Sequence, residues 1–231
     1  MAGLNRAYKR RPSMVAMNGE PVLCLDAGSK LSYPGTGTTW TDLSGNGNNG
    51  TISGSPTYTS SGTSNYFTIN SGATINQYID TAVPTPTLPI TINFWIYPTS
   101  VTATKLNLYD TAPNSPNVLR IYNGLIDWWN ASPTISLLTR LTANNWYNLT
   151  IIYSYNTNRT ITLYINGSLI TTATGSTTAT YAWTKFLIGN VNGNTDGVFS
   201  GRIALAQIYN RQLTATEIST NFELLRGRYG I

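Results

Sequence analysis

The chain reads as all-β, a two-sheet antiparallel sandwich with one short C-terminal helix, and three observations predict it. Short apolar runs alternate with polar residues at a period of two through most of the 231 residues, the pattern of a strand with one face turned inward. Asn123-Gly124 and Asn166-Gly167 each stand between two such runs, and both residue types tolerate the positive φ of a tight hairpin turn. The period becomes helical only once, close to the C-terminus.

The stretch from Trp146 to Thr174 organises the rest. Tyr147, Leu149, Ile151 and Tyr153 alternate with Asn148, Thr150, Ile152 and Ser154, and after a polar break the alternation resumes at Ile161, Leu163 and Ile165. The Asn166-Gly167 turn then sends Leu169 and Ile170 back antiparallel, so three consecutive strands form a meander. Upstream, Pro21 to Ala27 is a short buried strand that holds Cys24, read as an inert buried thiol rather than a nucleophile. Tyr66 to Ile69 and Gln77 to Ile79 are short strands. Thr81 to Pro89 carries three prolines and suits an exposed connection. Ile90 to Pro98 is the clearest strand of the N-terminal half, with Ile90, Ile92, Phe94 and Ile96 on one face. Leu106 to Asp110, Val118 to Tyr122 and Leu125 to Asn130 follow, and later Phe186 to Gly189 and Arg202 to Tyr209. The helix starts at Thr214 as N-cap, with Glu217 completing a capping box and Leu213 and Ile218 placed as a hydrophobic staple. It should run over about 214–225, with Gly227 past its end.

A chain of this length without an internal repeat or long linker fits one domain, residues 21–231, behind a basic arm, residues 1–20. The arm lacks the apolar core of a secretory signal, and no run approaches the roughly 20 apolar residues of a membrane span. Formal net charge is +5, yet charged residues make up only 10% of the chain. Much of the excess is terminal, at Arg6, Lys9, Arg10 and Arg11 and at Arg226 and Arg228. That distribution argues against a nucleic-acid-binding face across the fold, which needs clustered Lys and Arg on one surface. A basic arm can dock on an acidic partner protein, on nucleic acid or on nothing.

Two stretches carry candidate binding chemistry. Asp127, Trp128, Trp129 and Asn130 put two tryptophans on one strand, so one faces the core and the other solvent or a partner. An outward Trp beside Asp127 and Asn130 is a sugar-stacking platform, because pyranose C–H faces pack on aromatic rings while carboxylates and amides bond hydroxyls. A Trp covering its own sheet edge is the other reading. The Gly- and Asn-rich loop with Asp42, Asn46 and Asn48 can present oxygens to a cation, or can be a series of Asx-type turns with no ion.

Four stretches taken in order carry a resemblance: Asp42 to Thr51; Ile90 to Pro98; Asn145 to Asn148 through Leu163 to Gly167; and Gly201 to Ile203 through Ile208 to Ile218. Over about Val22 to Phe222 the chain resembles the laminin-G-like, concanavalin A-like lectin/glucanase superfamily, which implies a jelly roll. The glucanases of that superfamily use a Glu-X-Asp-X-X-Glu strand, and retaining hydrolysis needs two carboxyls about 5 Å apart. Here the glutamates are Glu20, Glu217 and Glu223, none on a predicted strand, and there is no histidine. No catalytic residue is therefore expected. Relatives place an acidic residue after the Gly-X-Ile of the penultimate strand, part of a structural calcium site; here Ala204 stands there. No cofactor is expected, and a calcium at Asp42 would lack that ligand. The closing Arg226 to Ile231, with Leu23 to Gly28, further resembles laminin-G-like structural proteins of tailed bacteriophages, cyanophages especially. That resemblance implies a non-enzymatic virion protein, made in the host cytoplasm and displayed on the particle as capsid decoration, head fibre or tail component. Its partners would be capsid or tail subunits held through the arm, further copies of itself, and a surface glycan bound weakly during host adsorption. A free-standing carbohydrate-binding lectin is the alternative.

Overall fold

The computed structural model describes residues 20–62, 64–70, 77–102, 106–110, 118–129, 135–155, 158–175, 185–190 and 197–231. In chain order the first strands are β1 (Leu23–Asp26), β2 (Thr39–Trp40), β3 (Gly50–Ser53), β4 (Thr57–Thr59), β5 (Tyr66–Ile69), β6 (Tyr78–Thr81), β7 (Ile90–Pro98) and β8 (Leu106–Asp110). They are followed by β9 (Val118–Tyr122), β10 (Leu125–Trp129), β11 (Ile135–Arg140), β12 (Tyr147–Tyr155), β13 (Arg159–Ile165), β14 (Ser168–Gly175), β15 (Phe186–Ile188) and β16 (Gly201–Tyr209). The helix α1 (Ala215–Tyr229) comes last. The strands form two antiparallel sheets, as the alternation predicts. The first runs β14-β13-β12-β7-β16-β5-β4, with β1 paired to the far half of β16, and the second runs β11-β10-β9-β8-β15-β6-β3-β2. The architecture is the expected all-β sandwich with one C-terminal helix.

Register and burial follow the period of two. Leu149, Ile151 and Tyr153 of β12 lie opposite Phe94, Ile92 and Ile90 of β7, and all are buried in the core between the sheets. Ile161 and Leu163 continue that face across β13. From the second sheet, Ile79, Leu119, Ile121, Ile126, Trp128, Phe186 and Ile188 point back at them. Trp128 stacks on Tyr153 across the sandwich, ring centroids 5.1 Å apart and planes 4° from parallel. Both Asn-Gly turns form with positive φ at each residue, 49° and 81° at Asn123 and Gly124, 50° and 76° at Asn166 and Gly167. The returning strand β14 is present, and its Leu169 and Ile170 are exposed. Strands β2, β3 and β4 escape the periodicity reading because two to four residues among Gly, Ser and Thr carry too little alternation.

The outer face of the first sheet is covered by α1. Thr214 caps the helix and Glu217 returns the bond, completing the capping box. Leu213 and Ile218 pack together with Ile152, Tyr164 and Tyr209. The helix runs beyond the expected end near 225, through Gly227 to Tyr229, and the left-handed cap is Gly230 at φ 71°. Two contacts carry the last turn forward: Tyr229 stacks on Trp95 at 4.2 Å, and Arg228 holds the buried carboxylate of Asp26 at 3.2 Å. Gly227 sits on the exposed side of the helix, where its backbone freedom costs about 1 kcal/mol. No helix among the described residues is long and apolar enough to cross a membrane.

Candidate functional site

Strand β10 divides the first candidate site between two faces. Trp128 belongs to the core and is fully enclosed, so it cannot stack on a sugar; only the opposite face of the strand remains for that role. Asp127 lies on this opposite face, directly across from Arg120 of β9. Arg120 donates from Nε (2.9 Å) and from an Nη (2.8 Å), both to Oδ2 of Asp127, and its guanidinium stacks over the ring of Tyr122 at 5.0 Å. Asp127 is buried, and its second oxygen, Oδ1, has no partner. Burial pushes the carboxyl above its ordinary value, against the pull of Arg120. Trp129 ends β10; its side chain and the whole of Asn130 lie outside the described residues.

The Asp42 loop is a clamp closed on itself. Oδ1 of Asp42 accepts from the backbone N–H groups of Cys24 (2.8 Å) and Ser44 (2.9 Å), and Oδ2 accepts from the Ser44 hydroxyl (2.6 Å) and the Asn48 N–H (3.0 Å). Four donors occupy the roughly four acceptor directions of a carboxylate. Asn46 and Asn48 aim their amide N–H groups at the Val22 carbonyl (3.4 and 2.8 Å), so both present donors inward. These bonds have the geometry of Asx-type turns. Residue types alone do not tell which end of an amide faces inward. The loop ties β1 to its neighbours. Ala204 is buried under α1 beside Trp95 and Phe222, where a carboxylate would be enclosed among apolar side chains. Among the described residues no three His, Cys, Asp or Glu side chains gather as a metal centre requires.

Among the carboxylates whose side chains the structure describes, all but the exposed Glu20 are engaged. Asp26 is held by Arg228, Asp80 by Lys185 (2.7 Å), Glu223 by Arg226, and Glu217 by Arg211 and the helix cap. Cys24 is fully buried and burial pushes its thiol up to about 12, which suits the expected inert role. The Asp26–Arg228 pair joins residues 202 positions apart and could not be read from the sequence, where Arg228 counted only among the terminal charges. The arm residues Arg6, Lys9, Arg10 and Arg11 lie outside the described residues.

The same architecture occurs in solved toxin domains. A structure of botulinum neurotoxin type C, a toxin that interacts with two ganglioside molecules, superposes with a TM-score of 0.72 at 18% identity over 92% of this chain and 53% of that one. The receptor-binding domain of the type G neurotoxin gives 0.69 at 18% identity, over 89% and 51%. The binding domain of Paraclostridial Mosquitocidal Protein 1 gives 0.67 at 20% identity, over 88% and 52%. The chain thus spans about half the length of these neighbours, and at such identities the likeness is one of fold. No curated protein sequence matches the chain. Residues 61–219, more than half of the chain, match the laminin-G-type model of the concanavalin A-like lectin/glucanases superfamily, and the chain belongs to that superfamily.

Proposed function

We propose that the chain is a non-enzymatic recognition module displayed on a tailed-phage particle, anchored through its basic arm and binding a glycan weakly through the outward face of β9 and β10. The observation that carries the non-enzymatic part is the fate of the carboxylates. Asp26, Asp42, Asp80, Asp127, Glu217 and Glu223 are each held by a cationic side chain or by backbone donors, and only Glu217 and Glu223 share an element, the helix, where each is tied to its own arginine. The outward face of the second sheet offers the opposite of a reactive centre: a guanidinium held on the buried Asp127 carboxylate and stacked on the exposed Tyr122 ring, and Trp129 next along the strand. Those are groups that stack on and bond sugars. The neighbouring solved structures are binding domains, which favours recognition over catalysis.

Placement on a particle rests on the likeness of residues 23–28 and 226–231 to phage structural proteins. These two segments meet in the fold at the Asp26–Arg228 pair. Mass spectrometry of purified particles tests it: stoichiometric amounts establish a structural role, and deletion of residues 1–13 should leave a folded domain that no longer joins particles. Normal assembly of the truncated protein would remove the arm as anchor. The free-standing lectin is the second reading, favoured by the receptor-binding domains among the neighbours; absence from particles together with binding on a glycan array would establish it. On that array Trp129→Ala should lose signal while keeping its melting temperature, whereas Trp128→Ala should be less stable.

A further inference from the structure

On the other side of the sandwich, beyond the C-terminal end of α1, Arg202 emerges from β16 between two tyrosines. Gly201 makes this possible, because a Cβ there would collide with the Tyr97 carbonyl oxygen and the Pro98 backbone. The close approach sets Arg202 directly opposite Tyr97 of β7 and opposite Thr68 of β5, two residues from Tyr66. Its guanidinium carbon lies 4.3 Å from the Tyr97 ring centroid and 4.6 Å from that of Tyr66. The turn before β12 folds onto the end of β7 through the Asn144 N–H, which donates to the Pro98 carbonyl at 2.7 Å. This brings Trp146 edge-on to Tyr97 at 5.4 Å, to within 5.8 Å of Tyr66, and against Tyr229 of the helix at 4.6 Å.

What sets this cluster apart is that its polar groups are unused. Arg120, Arg211, Arg226 and Arg228 each hold a carboxylate. The Arg202 guanidinium makes contact only with ring faces and meets no acceptor among the described residues. The hydroxyls of Tyr66 and Tyr97 and the indole N–H of Trp146 likewise have no partner among them. Arg202, Tyr97 and Trp146 are half-buried, so solvent reaches them. Stacking fixes the plane of the guanidinium while its N–H edge stays available, and that planar fork matches a carboxylate. Indole and phenol faces take the C–H face of a pyranose, and their N–H and O–H groups take its hydroxyls.

We propose that Arg202, Tyr97 and Trp146 form a binding site for a carboxylate-bearing sugar, with Arg202 clasping the carboxylate and Trp146 packing on the ring. The proposal rests on the reading of the domain as a glycan binder but uses a different sheet, so the two fail separately. The test is titration of the full chain, by calorimetry or by shifts in its NMR spectrum, with the methyl glycosides of glucuronic acid and of sialic acid, with neutral methyl glucoside and with glucose 6-sulfate. The carboxylated sugars should bind wild type more tightly than the neutral one. Arg202→Gln should weaken them about tenfold or more, the usual loss for a hydrogen bond to a charged group. Arg202→Lys keeps the charge and loses the fork, so a several-fold loss at an unchanged melting temperature separates recognition from folding. Trp129→Ala should leave carboxylated-sugar binding intact. Equal affinity for glucuronide and glucoside, tighter binding of the sulfate, or indifference to both Arg202 variants would each overturn the proposal. Neutral-sugar binding that depends on Trp129 without any such discrimination would leave the wider glycan-binding reading standing alone.

Discussion

The two sheets present outer faces built on different chemistry. Under α1 the first sheet carries a ladder of neutral polar groups: Asn93 donates to Gln207 (3.0 Å) and accepts from Asn148 (2.7 Å) and Thr150 (2.9 Å), and Gln207 reaches the sulfur of Cys24 (3.6 Å). Trp95 closes the ladder from above by stacking between Phe222 and Tyr229. On the second sheet the cross-strand partners are charged, Arg120 with Asp127 and Lys185 with Asp80. A buried amide that finds an amide is satisfied without an uncompensated charge, so a helix can seal it in. A buried carboxylate keeps its desolvation cost even when paired, and Asp127 shows it by retaining one bare oxygen and a raised pKa. The first sheet seals one charged pair as well, the Asp26 carboxylate with Arg228 of the helix, so its closure rests on neutral amides at the centre and a single ion pair at the margin.

The largest test of that contrast is Trp95→Ala. It removes both stacks that seat the helix and should cost about 3–5 kcal/mol in denaturant unfolding. A loss below about 1 kcal/mol would mean that the lid is seated by the Asp26–Arg228 pair instead. Next comes Asn93→Ala, which takes the acceptor from Asn148 and Thr150 and the donor from Gln207 while leaving the helix contacts alone. Stranding those buried groups should cost about 1–3 kcal/mol, and a neutral outcome would break the view of the ladder as a satisfied network.

Asn93 also shows where sequence reading stops. The alternation of Ile90, Ile92, Phe94 and Ile96 placed the core face of β7 correctly, because a period of two is a local property of the backbone. The same alternation puts Asn93 and Trp95 on the opposite face and says nothing of what covers them. Their burial depends on α1 folding back from more than a hundred residues away, and nothing near residue 93 announces it. The capping box at Thr214 and Glu217 was legible for the reason β7 was, being four consecutive residues. The helix end was not, since it is decided by Trp95 and Asp26 at distance. The candidate sites divide similarly. That only one of Trp128 and Trp129 could face the core followed from alternation; which one did required knowing that Tyr153 waits across the sandwich. The four donors to Asp42 come from Cys24, Ser44 and Asn48; Ser44 and Asn48 are local to the loop, while Cys24 lies 18 residues away and could not be read from it.

The smallest effect separates the two faces by pH. Glu217 is held by Arg211, with further hydrogen bonds from Thr214, and its carboxyl falls from 4.5 to about 2 in the folded chain. A lowered folded pKa means stabilisation that is complete above 4.5 and lost as pH falls toward 2. Asp127 has the opposite sign. Its folded pKa lies above the ordinary value of 3.8, so its ionised form opposes folding at neutral pH and that penalty is relieved as it takes up a proton. Acidification from pH 6 should therefore weaken the helix-covered face and ease the other. Glu217→Gln should remove about 1 kcal/mol at neutral pH, in the range of a lost helix cap, and flatten the fall in melting temperature below pH 4.5. If the slope survives that substitution, the acid sensitivity does not belong to the Glu217 cap.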